Sequence, residues 1–552
     1  MYKQVLDPVS HSLGLSVIFA ALPLVVLFVL LGVVRMKAWL ASLIAFAVAG
    51  LVALVVYGMP IGQTGDAALE GVVFGIWPIM WIVVNALWIY NMTVETGYFA
   101  VLRRAFATIS DDQRIQAVII AFCFGALLEA LAGFGTPVAI AGAMLVGVGL
   151  SPARAAAVAL IADTAPVAFG AIAVPITTLA AVTKLPVHHL SMMVGRQTPF
   201  LALLIPFVIV FVVDGRRGLR ATWPAALTAG LAFGVTQFAI SNYVSAQLTD
   251  IIAALVSTGA LVALLEVWSP REGVSLPSVG ARPAIAGGAV ADPALELRTR
   301  AERGAPLEKR EVLKAFAPYA LIVVVLGIVN LHVVALQLDK LTSVFSWPGL
   351  HVLNAKGKAP SSETFKLTWL TTAGTWLFIS GVLTAAVLRV RPGQALRIYG
   401  ETLHRLRYAI LIVCAVLGMA YVMNLSGQTA TLGAWVAGVG SAFAFFSPLI
   451  GWFGTAVTGS DTSTNALFGG LQVTAAHHTG LSPTLLAAAN SSGGVMAKMV
   501  SPQNLAIAAV AVGLAGREGD IFRKVIGWSV VLVLLMALLV LAQSGILSFM
   551  VP

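Results

Sequence analysis

Apolar runs of about 20 residues, long enough to cross a bilayer, recur along nearly the whole chain, bounded by short polar or basic stretches. In the first half they fall at about 13–34, 39–57, 70–90, 115–131, 138–150, 155–182, 199–213, 221–240 and 251–268. In the second they fall at about 317–337, 368–388, 408–424, 432–450, 485–499, 503–514 and 525–549. Some pieces adjoin breaks and need not cross fully. The pattern therefore predicts an all-α polytopic membrane protein with about 12–14 transmembrane helices.

Two runs are interrupted where a plain span would continue. Residues 129–139 read Glu-Ala-Leu-Ala-Gly-Phe-Gly-Thr-Pro-Val-Ala, and residues 451–465 read Gly-Trp-Phe-Gly-Thr-Ala-Val-Thr-Gly-Ser-Asp-Thr-Ser-Thr-Asn. Glycine and proline free backbone polar groups at membrane depth, where they are tolerated only if protein buries them or they line a wet cavity. Each break is followed by Leu-Ser-Pro, at 150–152 and 481–483, and then by a small-residue helix holding a polar kink, Ala-Asp-Thr-Ala-Pro at 162–166 and Ala-Asn-Ser-Ser-Gly at 489–493. Matching interrupted segments, one per half, predict repeats with broken or re-entrant helices around a shared site. Between the halves, 269–313 is rich in Pro, Gly, Ala, Arg and Glu without apolar period, which predicts a flexible cytoplasmic linker between transmembrane halves 1–268 and 314–552.

Basic stretches at 35–37, 103–114, 214–220, 389–407 and 517–524 are expected on the cytoplasmic side, which puts both termini outside. Counted this way, the first break is approached from outside and the second from inside, so the repeats are expected to be inverted.

Composition narrows the function classes. Of 552 residues 59% are hydrophobic and 10% charged, with mean hydropathy +0.95, which leaves little chain for a folded aqueous domain. The formal charge of +10 sits in short inter-helix loops, so positive-inside bias explains it better than nucleic-acid binding. Cys123 and Cys414 lie far apart in apolar runs and read as core thiols. The pairs His188-His189 and His477-His478 lack a completing ligand set, since neighbours on a helix point about 100° apart. No phosphate-binding Gly-x4-Gly-Lys-Ser/Thr pattern occurs, so an ion gradient rather than ATP is the expected driver.

Ionisable residues inside apolar runs are few and expensive, and each is a functional candidate. Glu129 is flanked by Leu127, Leu128 and Leu131. Burial there penalises its ionised form, which suits a group that takes and releases a proton and favours that role over bracing the loop as a hydrogen-bonded acid. Asp163 could share that proton, or cap backbone N–H groups freed at its kink. Ser460 through Asn465 is a run of six polar residues that should line a site, with Asp461, Thr462, Ser463, Thr464 and Asn465 offering partners to a small anion. Asn490, Ser491 and Ser492 would face them, followed by Lys498, either the fixed positive charge of the site or a lysine snorkelling to the interface. Arg196 is the rival anion clamp, through bidentate carboxylate binding, unless it is an ordinary loop arginine.

Taken together, residues 129–139, Thr-Ala-Pro-Val-Ala-Phe-Gly-Ala at 164–171, Gly-Arg-Gln at 195–197 and the stretch 487–503 from Ala-Ala-Ala-Asn-Ser-Ser through Lys-Met-Val-Ser-Pro-Gln resemble the bacterial L-lactate permease family, nearly end to end. The resemblance implies a cytoplasmic (inner) membrane symporter carrying lactate, and commonly glycolate, with a proton as coupling ion and no other cofactor. It adds Gly133, Gly135, Thr136, Thr164 and Gln503 to the expected substrate-binding set. In that family Asp163 can be replaced by asparagine and Thr136 by alanine, which moves the expected proton carrier toward Glu129. The expected partners are a small monocarboxylate and the lipid bilayer, not nucleic acid, and a homo-oligomer is compatible with the pattern. Sodium coupling or a larger acid such as gluconate remains open on the residues alone. An intramembrane enzyme or passive channel is a second class of reading, disfavoured by the lack of a nucleophile–base or metal constellation.

Overall fold

The computed structural model describes residues 2–34, 36–133, 135–270, 308–329, 331–354, 357 and 364–552. Most of 269–313 therefore lies outside the described residues, although its last positions belong to the helix Lys309–Val329, which begins ahead of the expected end of the linker. The chain is an all-α polytopic membrane protein. Among the described residues ten helices are long and apolar enough to cross a membrane, or eleven with the bent pair Pro152–Ala162 and Val167–Thr183, which turns by 61°. The runs expected at 199–213 and 221–240 form one helical course, Thr198–Tyr243, that breaks at Asp214 and Gly215, where Gly215 takes φ 62°. Thr136–Gly147 and Ala373–Val387 are apolar but short.

The two halves of the sequence do not form two bodies in space. Pro392–Ser426 packs on Ala38–Val55, Ile61–Phe74 and Trp81–Glu95, while Ala373–Val387 packs on Trp81–Glu95 and on Lys309–Val329, making a frame from the early helices of both halves. The later helices of both halves make a core. Gly170–Thr183 lies against Asp461–Thr479, and Thr136–Gly147 against Pro502–Ala511. These contacts are reciprocal. The helix that follows the break of one half meets a later helix of the other half, beyond its Leu-Ser-Pro helix, and the same holds with the halves exchanged.

A small cap ties the ends of the frame. Strand Tyr2–Lys3 pairs in parallel with Val352–Leu353, and Ser343–Ser346 pairs antiparallel with Thr364–Leu367. Tyr2 donates from its hydroxyl to the Ser426 carbonyl at 2.8 Å. The expected turn at Trp347-Pro348-Gly349 forms, with Gly349 at φ 86°.

Candidate functional site

The first break is built by glycines in a conformation that side chains resist. Gly133 and Gly135 take φ 53° and 81°, and Pro137 then starts the helix Thr136–Gly147. The second break has Gly459 at φ 75°, and the Ser460 hydroxyl accepts from Ser463 N at 3.2 Å to cap Asp461–Thr479. The breaks meet. Asn504 donates from its side chain to the Gly459 carbonyl at 3.2 Å, and its Oδ1 lies 3.5 Å from where a Cβ on Gly135 would stand.

Behind this meeting point lies a buried ion cluster. Lys498, in the turn that closes Pro483–Ala497, donates from Nζ to Glu129 Oε1 at 2.7 Å and lies 3.0 Å from Asp163 Oδ2. The three side chains are 7%, 5% and 3% exposed. Glu129 comes from the span Gln113–Leu131, whose apolar window is wholly buried, and Asp163 from the kink ending Pro152–Ala162. Backbone closes in on the Glu129 carboxyl, since a Cβ on Gly170 would come within 2.7 Å of its Oε1. Just beyond, Ala171, Ile172 and Ala173 all take positive φ, 44°, 60° and 58°. Such a left-handed turn costs roughly 1–2 kcal/mol per residue.

A second, hydroxyl- and amide-rich cluster sits about two turns back along Pro483–Ala497. Asp461 Oδ2 accepts from Ser491 Oγ at 2.6 Å and from Asn465 Nδ2 at 3.2 Å. Asn490 donates to Asn465 Oδ1 at 2.9 Å and accepts from Gln472 at 3.3 Å. Ser492 turns the other way, donating to Gln197 Oε1 at 2.7 Å.

Several sequence expectations land elsewhere. Arg196 donates to Asn242 Oδ1 at 2.8 Å and to the Met550 carbonyl at 2.8 Å, so its guanidinium is spent on the C-terminal end rather than on an anion site. Thr164 returns its hydroxyl to the Ile161 carbonyl at 2.6 Å, and Thr464 bonds Thr455 and the Ser460 carbonyl, both closing local turns. Gln503 is exposed, while its neighbour Asn504, not expected, is buried. Thr462 and Thr136 are half-buried and Ser463 is buried behind its cap. Gln197, Gly170 and Thr455 lay in motifs already singled out but were not expected as site residues, and Gln472 was not expected at all. Of these, Gln472 carried a signal, being an amide inside an otherwise apolar stretch.

A buried cation bracketed by acids, at the point where broken helices of two matching halves converge, belongs to a multi-pass membrane transporter and not to an enzyme. The chain is a member of the L-lactate permease family, whose profile matches residues 16–547. The glycolate permease of Escherichia coli is 41% identical over 98% of this chain and 97% of its own. The L-lactate permeases of Bacillus subtilis and Escherichia coli are 39% and 37% identical, each over 100% of both chains.

Proposed function

We propose that this transporter imports L-lactate, glycolate or a closely related 2-hydroxymonocarboxylate with a proton across the bacterial cytoplasmic membrane. Relatives named for lactate and glycolate support the substrate class. The observation that carries the coupling is Lys498 between Glu129 and Asp163. One ammonium offsets one carboxylate, so in a poorly hydrated interior the other acid is favoured in its protonated form. A proton arriving on the remaining carboxylate releases the ammonium to pair with the substrate's carboxylate. Proton and anion thus strengthen each other's binding, by the same factor in either order. Asn490 and Ser491 lie about two turns before Lys498 on the same helix, roughly 10–12 Å along its axis, so they line the approach to the ammonium rather than share one bound anion with it.

The test is uptake of labelled L-lactate into proteoliposomes holding the purified protein under an imposed inward proton gradient, with and without sodium, in competition with glycolate and gluconate. Accumulation that collapses with a protonophore, ignores sodium and yields to glycolate is expected. Absence of lactate uptake, or a need for sodium, overturns the reading.

A further inference from the structure

We propose that Asp461 is a second proton-carrying carboxyl, exchanging its proton once per transport cycle, rather than a ligand for the substrate. The inference rests on the proton-coupled reading above. Its starting point is a mismatch between charge and partners. Asp461 is 3% exposed, and its Oδ2 accepts from Ser491 and Asn465, whereas its Oδ1 accepts no hydrogen bond among the described residues. Helices Gly170–Thr183, Pro392–Ser426, Gln428–Val436, Phe443–Thr458 and Pro483–Ala497 pack on its own, and the charged group they bring to bear on it is Lys498, at the end of the last. Lys498 is already taken by two other acids at 2.7 and 3.0 Å. A carboxylate at membrane depth with no cation in contact is costly, and we take the group as neutral in this conformation.

Neutrality also decides what Asp461 can do. An ionised acid here would repel a substrate carboxylate, and a protonated one has a hydrogen to place on Oδ1. That oxygen faces the same side of Gly494 as the Thr455 hydroxyl, standing 2.3 Å and 2.8 Å respectively from the point a Cβ would occupy. Thr455 donates to Thr464 at 2.9 Å, and the Thr464 hydroxyl lies 3.3 Å from that of Thr458, half-buried beside Ser460 at the second break. A turn of the Asp461 carboxyl toward the Thr455 hydroxyl would join the acid to this line at the break. The proton enters and leaves along that line, while the one shared by Glu129 and Asp163 moves at the ion cluster.

The experiment is the proton-to-substrate ratio, read in proteoliposomes of the full chain as the limiting lactate gradient sustained by a fixed pH difference. Asp461→Asn is expected to lower the ratio by one, which lowers limiting accumulation about tenfold per unit of pH difference, while lactate-for-lactate counterflow persists. An unchanged ratio makes the proton on Asp461 a fixed one and overturns the proposal. Loss of counterflow in a variant that still melts cooperatively places Asp461 on the substrate and overturns it too. Should Asp461→Asn not fold, Thr455→Val keeps the carboxyl and cuts the hydroxyl line. Slower net uptake with intact counterflow is then expected, and unchanged net uptake overturns the proposal. Failure of the underlying reading looks different, because wild-type uptake would itself ignore the proton gradient.

Discussion

Removing the ammonium of Lys498 would leave Glu129 and Asp163 buried without their cation. Breaking such a pair from one side typically costs about 3–5 kcal/mol. Lys498→Ala is therefore expected to lower the melting temperature in detergent and to raise the half-saturation concentration for lactate, and an unaltered half-saturation would remove it from the anion site. Glu129→Gln is expected to remove the proton carried at the ion cluster, cutting proton-driven accumulation sharply while sparing counterflow, because exchange needs no net proton movement. Equal loss of both would make Glu129 a structural or substrate-binding residue. Glu129, Asp163 and Lys498 were legible in the sequence because an ionisable group in an apolar run is expensive and has to be explained. Arg196, which turns to Asn242 and the C-terminal end, was less legible, since a long side chain beside a break can turn either way and spacing does not say which. The choice of Gln503 over Asn504 was a question of helix phase. Ser501 caps the Asn504 N–H and accepts from its amide at 2.9 Å, which holds position 504 inward and leaves 503 outside.

At the scale of elements, close approach is set by glycine. Helices Phe443–Thr458 and Pro483–Ala497 cross so tightly that a Cβ on Gly451 would stand 1.9 Å from the Asn490 carbonyl oxygen, and one on Gly493 2.0 Å from that of Pro448. Small residues that let backbones touch are a recurring device of membrane helices. Gly451→Ala would force the pair apart at a cost of about 1–3 kcal/mol and shift Asn490 with it, so both a lower melting temperature and weaker lactate binding are expected, measured on one detergent-purified sample. On the first half, Arg114 is fully buried between Asp112 at 2.7 Å and Asp214 at 3.1 Å, clamping the start of the Gln113–Leu131 span to the break at Asp214–Gly215. Arg114→Ala should cost stability on the buried-pair scale of about 3–5 kcal/mol while leaving the half-saturation of the surviving protein unchanged, which separates it from Lys498. The element that sequence could not announce is the left-handed turn at 171–173. Ala-Ile-Ala has no glycine to mark it, and only the surrounding packing holds it there.

For the whole molecule, the paired breaks and their Leu-Ser-Pro echoes gave away the repeat, because a local interruption leaves a local trace. The interleaving of frame and core left none. It depends on which distant helices share a face, and hydropathy reports only that a helix is apolar. One experiment addresses it directly. Separate genes for residues 1–290 and 291–552, cut within the connecting segment, are expected to restore lactate uptake when expressed together and to give no stable product alone. A stable first half on its own would contradict the mutual dependence of the halves.

That dependence has a temporal side. A membrane protein is threaded into the bilayer from its first residue onward, so Ala38–Val55, Ile61–Phe74 and Trp81–Glu95 are in place before Pro392–Ser426, the helix that packs on all three, has been made. Until then Gly71, whose Cα sits where a Cβ would meet the Leu417 carbonyl oxygen at 2.5 Å, shows its bare backbone to lipid. A nascent chain halted at the connecting segment would thus be recognisable as incomplete by the groups it has left uncovered, and it is at that interval that membrane proteases and insertion chaperones would compete for it.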